Sequence, residues 1–162
     1  MPATRTRPEL GSANLADVSG LFRAYAAALP VDLTAQSFVE ELAGLPGAYA
    51  PPQGALLLAR AQGGTPLGCI ALRPLDAGAC EVKRLYVKPA TRGLGLGRAL
   101  VEAIIDGAQR IAYRAMKLDT IPEMAAAVAL YRSLGFAPIP PYGSYPYPGL
   151  ICLGKALPPA AE

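Results

Sequence analysis

Three glycines at alternate positions, in Arg92-Gly93-Leu94-Gly95-Leu96-Gly97-Arg98, restrict the fold more than any other feature, because they sit between a short apolar run and a long helical pattern. Upstream, 80–87 is rich in apolar and β-branched positions and stops at Pro89, as a strand would. Downstream, Leu96, Leu100, Ala103, Ile104, Ala108 and Ile111 form one apolar stripe at helical spacing, which predicts a helix to about Tyr113. Residues 115–119, apolar at Met116 and Leu118, then offer a further strand. Strand, helix and strand in that order join two parallel strands through a crossover.

The flanking sequence adds antiparallel partners. Leu15, Val18, Phe22, Tyr25 and Leu29 step by three and four residues and predict a helix over 12–29, stopped by Pro30. A shorter helix over 34–43 presents Phe38 and Leu42, and the turns of Gly44-Leu45-Pro46-Gly47 and Pro51-Pro52 follow. Two apolar runs, 55–60 and 67–75, flank Gln62-Gly63-Gly64-Thr65-Pro66 as a hairpin would, and Asp76-Ala77-Gly78 turns into 80–87. Thr120-Ile121-Pro122-Glu123 has capping-box spacing ahead of a helix that Gly135 should close. Residues 136–139 and 150–156 are candidate last strands around the Pro/Tyr/Gly-rich loop 140–149, and a short strand near 3–7 would open the chain. The expected class is α/β, a mixed central sheet of six to seven strands flanked by about four helices. At 162 residues this makes one domain, 1–157, with 158–162 as a frayed tail.

Composition removes several chemistries. There is no histidine, which excludes Ser-His and Cys-His nucleophiles and most metal sites. Three cysteines, Cys69, Cys80 and Cys152, lack ligand spacing and are expected to be buried free thiols, with no metal. A net charge of +3 with scattered basic residues gives no footprint for nucleic acid. No apolar run approaches the roughly 18 residues that span a bilayer, and no secretory leader is evident, so a cytoplasmic protein without membrane contact is expected.

A glycine turn opening a helix aims backbone N–H groups at an anion. It is equally a plain packing turn. A dinucleotide fingerprint would need glycine directly after the strand and a third glycine where Arg98 stands, although Asp119 could then meet a ribose. A P-loop would need Gly-Lys-Ser/Thr, which is missing. Arg92 and Arg98 on either side suit a pyrophosphate.

The chain resembles the GNAT superfamily of N-acetyltransferases over nearly its whole length. Arg92-Gly93-Leu94-Gly95-Leu96-Gly97 fits the family pattern Gln/Arg-x-x-Gly-x-Gly/Ala, Lys83-Arg84-Leu85-Tyr86-Val87-Lys88-Pro89 resembles its fourth strand, and Ala127, Leu130-Tyr131 and Gly135-Phe136 are similar to its Ala-x-x-Leu-Tyr-x-x-x-Gly-Phe segment. The resemblance implies direct acetyl transfer from acetyl-CoA to an amine, with no metal. It places Leu85, Tyr86, Val87, the residues Arg92, Gly93, Leu94, Gly95, Leu96, Gly97 and Arg98, and also Met124 and Ala127 on the coenzyme, Met124 replacing an asparagine common in relatives. Glu81, eleven residues before Arg92, is implied as base, directly or through water, and Tyr131 as acid. Each has a structural alternative: Glu81 as ion-pair partner of Lys83, Arg84 or Arg73, and Tyr131 as a packed aromatic in phase with Val128 and Leu134. Arg84 or Arg73 would pair with an acceptor carboxylate, and Tyr142, Tyr145 and Tyr147 would wall the acceptor. The expected partner is a small amine. A protein amine as acceptor, a non-catalytic acyl-CoA-binding module and a homodimer stay open.

Overall fold

The computed structural model describes residues 8–9, 14–30, 37–61, 63–76, 78–143 and 147–160. Its strands are β1 (Pro8–Glu9), β2 (Ala55–Arg60), β3 (Pro66–Asp76), β4 (Ala79–Val87), β5 (Ala115–Thr120), β6 (Ala137–Pro138) and β7 (Ile151–Ala156). They form one sheet in the order β1-β2-β3-β4-β5-β7-β6. The helices are α1 (Leu15–Ala28), α2 (Phe38–Ala43), α3 (Leu96–Ile111) and α4 (Ala125–Ser133). Among the described residues only β4 and β5 pair in parallel, across the α3 crossover; the other neighbours are antiparallel. The architecture is the mixed α/β sheet expected.

Strand alternation sorts the core into two layers. Ile70 and Leu72 of β3 and Val82 of β4 face Leu100 and Ile104 of α3. Cys69 and Ala71 point the other way, against Val18, Leu21 and Phe22 of α1 with Phe38 and Tyr49. Helix α1 begins where Asn14 Oδ1 accepts from the Ala16 and Asp17 amides at 2.9 and 3.4 Å. The expected helices over 12–29 and 34–43 start on positions outside the described residues, as does the whole of the 3–7 strand.

One local signal is overruled. Thr120 does not cap a helix: it completes β5 opposite Ile151, Ile121 is buried behind it, and α4 starts at Ala125 with no side-chain cap. Sheet pairing and burial hold Thr120 extended against the local capping pattern. The C-terminal signal holds, with Gly135 at φ 95° and the Phe136 amide donating to Tyr131 O at 3.1 Å.

Two features of β4 place the site. β4 and β5 share rungs only at Ala79/Ala115, Cys80/Met116 and Glu81/Lys117, after which the strands part while β4 continues along β3 to Val87. Within that free half, Arg84 has φ 61° and the β3/β4 register shifts, a bulge that bends the strand.

All three cysteines are free and buried, and burial pushes the thiols of Cys69 and Cys80 up to about 12. The thiolate is the reactive form. The folded protein should therefore leave an aromatic disulfide reagent at pH 8 unreacted, with three thiols titrating only on unfolding.

Candidate functional site

A cleft of about 590 Å³ opens beside the free half of β4. The strand supplies Leu85, Tyr86 and Val87, the glycine turn and first turn of α3 supply Arg92, Gly93, Gly95, Leu96, Gly97 and Arg98, and α4 with its N-cap supplies Ala127 and Met124. Gly93 and Gly95 have φ of 85° and 81°, in the left-handed region that glycine enters without steric cost. Gly95 is the N-cap of α3 and brings no capping side chain, so the first-turn amides of a 16-residue helix are offered to a ligand. Gly97 lies close to α4: a Cβ there would stand 3.3 Å from Leu130 Cδ2, so the leucine side chain would have to give by a few tenths of an ångström.

Both arginines are tied down beside this turn. Arg92 Nε donates to Val87 O at 3.1 Å, and Arg98 Nη2 donates to Ser133 Oγ at 2.8 Å. The Lys88 amide donates to Leu67 O of β3 at 2.8 Å, so alternation turns the Val87 amide the other way, into the gap beside β5.

Where the strands part, the cleft abuts an inner chamber of about 50 Å³. Its wall includes Lys83, Arg84, Asp119, Thr120 and Tyr131, and it shares Tyr25, Leu85, Met124 and Ala127 with the cleft. Tyr131 packs edge-on against Phe136 at 5.3 Å between ring centroids. Burial, with a smaller contribution from Tyr25, raises its pKa well above the ordinary phenol value.

Glu81 lies on the α1/α2 face, 2% exposed and lining neither space. Arg73 Nε and Nη2 reach its Oε1 at 2.8 and 2.7 Å, and Tyr142 Oη donates to Oε2 at 2.6 Å. Burial and the adjacent Glu81 charge raise the Tyr142 pKa, so this phenol holds its proton. Arg84 is engaged elsewhere: Nε and Nη2 bind Glu41 Oε2 and Oε1 at 2.9 and 3.0 Å, and its guanidinium lies 5.7 and 5.3 Å from the Tyr25 and Phe38 rings. Burial pulls the Arg84 pKa down, and the hydrogen bond and charge of Glu41 more than offset that.

The structure adds detail to three expectations. Leu94 is 67% exposed and turns away from the cleft, because the left-handed glycines on either side swing its side chain to solvent. Arg84 and Arg73 pair with Glu41 and Glu81, so an acceptor carboxylate would have to share or displace those partners. Tyr147 donates to Glu123 Oε2 at 2.8 Å at the coenzyme side of the loop, and Tyr145 lies outside the described residues. Sequence reasoning missed the cleft wall made by Tyr25 and Ala28 of α1 and the C-cap Leu29, whose stripe looked like plain core, and the chamber residues Lys83, Asp119 and Thr120. The parting of two parallel strands has no local sequence signal.

Among the described residues there is no cluster of metal-binding side chains and no helix long and apolar enough to cross a membrane. A parallel strand pair that parts beside a glycine turn, with first-turn helix amides left without a capping side chain, is the arrangement expected of an acyl-coenzyme A-binding transferase. The family model for the acetyltransferase (GNAT) family matches residues 20–136. An uncharacterized N-acetyltransferase from Schizosaccharomyces pombe is 42% identical over 139 residues, 85% of each chain. An IAA acetyltransferase from Azospirillum brasilense is 40% identical over 110 residues, 67% of this chain and 71% of its own. The structure of a GNAT phosphinothricin acetyltransferase from Sinorhizobium meliloti, in complex with acetyl-CoA, has TM-score 0.70 at 17% identity and covers 93% of this chain and 88% of its own. The chain belongs to the GNAT family of acetyltransferases. It is an acetyl-CoA-dependent N-acetyltransferase.

Proposed function

We propose that the enzyme moves an acetyl group from acetyl-CoA directly to the primary amine of a small, amino-acid-like acceptor, across the gap between β4 and β5. The gap carries this reading: it lies between the coenzyme cleft on the α3/α4 side and a polar cluster on the α1/α2 side, so thioester and amine meet from opposite faces. No enzyme nucleophile is required. The helix α3 amides with Arg92 and Arg98 hold the pyrophosphate, and the Val87 amide donates to the thioester oxygen as negative charge grows there. Tyr131, kept protonated by burial, gives its proton to the leaving thiolate. Glu81 receives the amine proton, and because Tyr142 covers its Oε2, the proton travels through that hydroxyl or a water beside it. Positioning of the two reactants supplies much of the remaining acceleration.

The test is thiol release from acetyl-CoA over a panel of primary amines, amino acids and peptides with free N-termini. Turnover should appear with small amines and amino acids and not with peptides. Tight acetyl-CoA binding with silence across the panel would overturn the reading.

A further inference from the structure

The chamber between the parting strands holds a pair of charges that the steps above do not use. Lys83 comes from β4 and Asp119 from β5, with side chains 9% and 12% exposed. Lys83 Nζ and Asp119 Oδ1 stand 4.0 Å apart, an ion pair too long for a hydrogen bond. Nearby charges are more closely matched: Glu41 is bound to Arg84 and Tyr49, and Glu81 to Arg73 and Tyr142. Lys83 and Asp119 thus face the chamber as two loosely coupled, nearly dry charges of opposite sign. Burial acts against both, lowering the lysine pKa and raising that of the aspartate, with their mutual attraction and Glu81 only partly opposing it in the lysine. Closer contact within the pair would have relieved that cost, so the spacing leaves a place for a ligand's own charges.

We infer that Lys83 and Asp119 together recognise the acceptor and select an α-amino acid or close analogue, Lys83 binding its carboxylate and Asp119 its ammonium. This rests on the proposed acetyl transfer to a small amine. The two ionic groups of an α-amino acid are separated by one tetrahedral carbon, with amine nitrogen and carboxyl carbon about 2.5 Å apart. Laid antiparallel to the Lys83/Asp119 pair, each charge of such a molecule meets one of opposite sign, and the square of four is neutral. The volume agrees. About 50 Å³ is available, and one water needs roughly 10–15 Å³ by the same measure, so the chamber admits the zwitterionic head of the acceptor and leaves its side chain outside. Placement agrees as well, since the chamber adjoins the cleft where Leu85, Met124 and Ala127 are shared. A simple alkylamine would meet Asp119 and bring no carboxylate to Lys83.

The experiment compares each of several amino acids with the amine that lacks its carboxylate, in the full-length protein and in Lys83→Met, Lys83→Arg and Asp119→Asn. The unsubstituted enzyme should favour the amino acid by roughly 10- to 100-fold in kcat/KM, the size of one buried charge-assisted hydrogen bond. Lys83→Met should collapse that ratio to near one, mainly through KM, and Lys83→Arg should restore part of it. Asp119→Asn should raise KM for amino acid and amine alike. Calorimetry of each amino acid against the CoA-saturated protein reads the same site without turnover. If turnover fails but amino acids bind and Lys83→Met abolishes binding, the proposed reaction falls and this site stands. Equal use of amino acid and amine by the unsubstituted enzyme, or an unchanged ratio in Lys83→Met, overturns it.

Discussion

Replacing Glu41 with alanine should destabilise the protein by about 3–5 kcal/mol, the range for removing one member of a buried ion pair. The reason lies in what surrounds Arg84. Its side chain is 2% exposed, and Glu41 meets it with two hydrogen bonds. Glu41 Oε1 also accepts from Tyr49 Oη at 2.8 Å, so the substitution removes the carboxylate from a guanidinium and a phenol at once. Arg84 further carries the left-handed backbone of the β4 bulge, and its anchor to α2 secures that conformation. Chemical denaturation should report the loss as a lower midpoint with an unchanged slope. The double variant Glu41→Leu with Arg84→Met removes both charges and should recover most of the stability, because the cost comes from separating a buried guanidinium from its carboxylate rather than from a large net worth of the pair. A loss of under 1 kcal/mol in Glu41→Ala would mean that the pair is not what fixes the bulge.

Phenylalanine at position 131 should lower kcat by about 100-fold or more, with the KM for acetyl-CoA little changed, as expected for loss of a positioned proton donor. The substitution deletes one oxygen and keeps the ring that packs on Phe136, so folding should be preserved. Burial raises the Tyr131 pKa, which makes the phenol a donor across the neutral range and excludes it as the source of an activity loss between pH 7 and 9. The sign also bears on stability. A phenol that ionises later in the fold than in the unfolded chain contributes fully below the ordinary value of 10.0, and that contribution fades as pH rises toward the folded-state value. Tyr131→Phe should therefore be less sensitive than the parent to alkaline unfolding. Glu81→Gln keeps the Tyr142 contact in shape but removes the proton acceptor, and should lower kcat by a comparable factor. Full turnover in both variants would dismiss the acid and base assigned.

The coenzyme side was legible because its needs are local. Glycine at 93 and 95 answers a backbone requirement, the stripe from Leu96 to Ile111 answers burial on one helix face, and both are visible within a few residues. The acceptor side was obscure because it is assembled by contacts between distant positions. Arg84 and Glu41 lie 43 residues apart and Tyr142 and Glu81 lie 61 apart, so nothing near Arg84 or Tyr142 reveals that each is already engaged. Lys83 and Asp119 belong to the same case, since only the crossover through α3 sets β4 beside β5. Thr120 illustrates the reverse error, a good local capping pattern that lost to the β5/β7 ladder.

The parting of β4 from β5 leaves the inner edge of a seven-stranded sheet with no strand to pair with past Glu81. In a finished sheet those amides would exchange with solvent slowly. Here the Val87 amide lies along an unpaired strand edge that an extended amide-bearing ligand can occupy as a strand would, and acetyl-CoA is expected to extend the ladder in this way. Hydrogen exchange at Val87 should slow on coenzyme binding while that at Tyr86, already paired with β3, stays as it was.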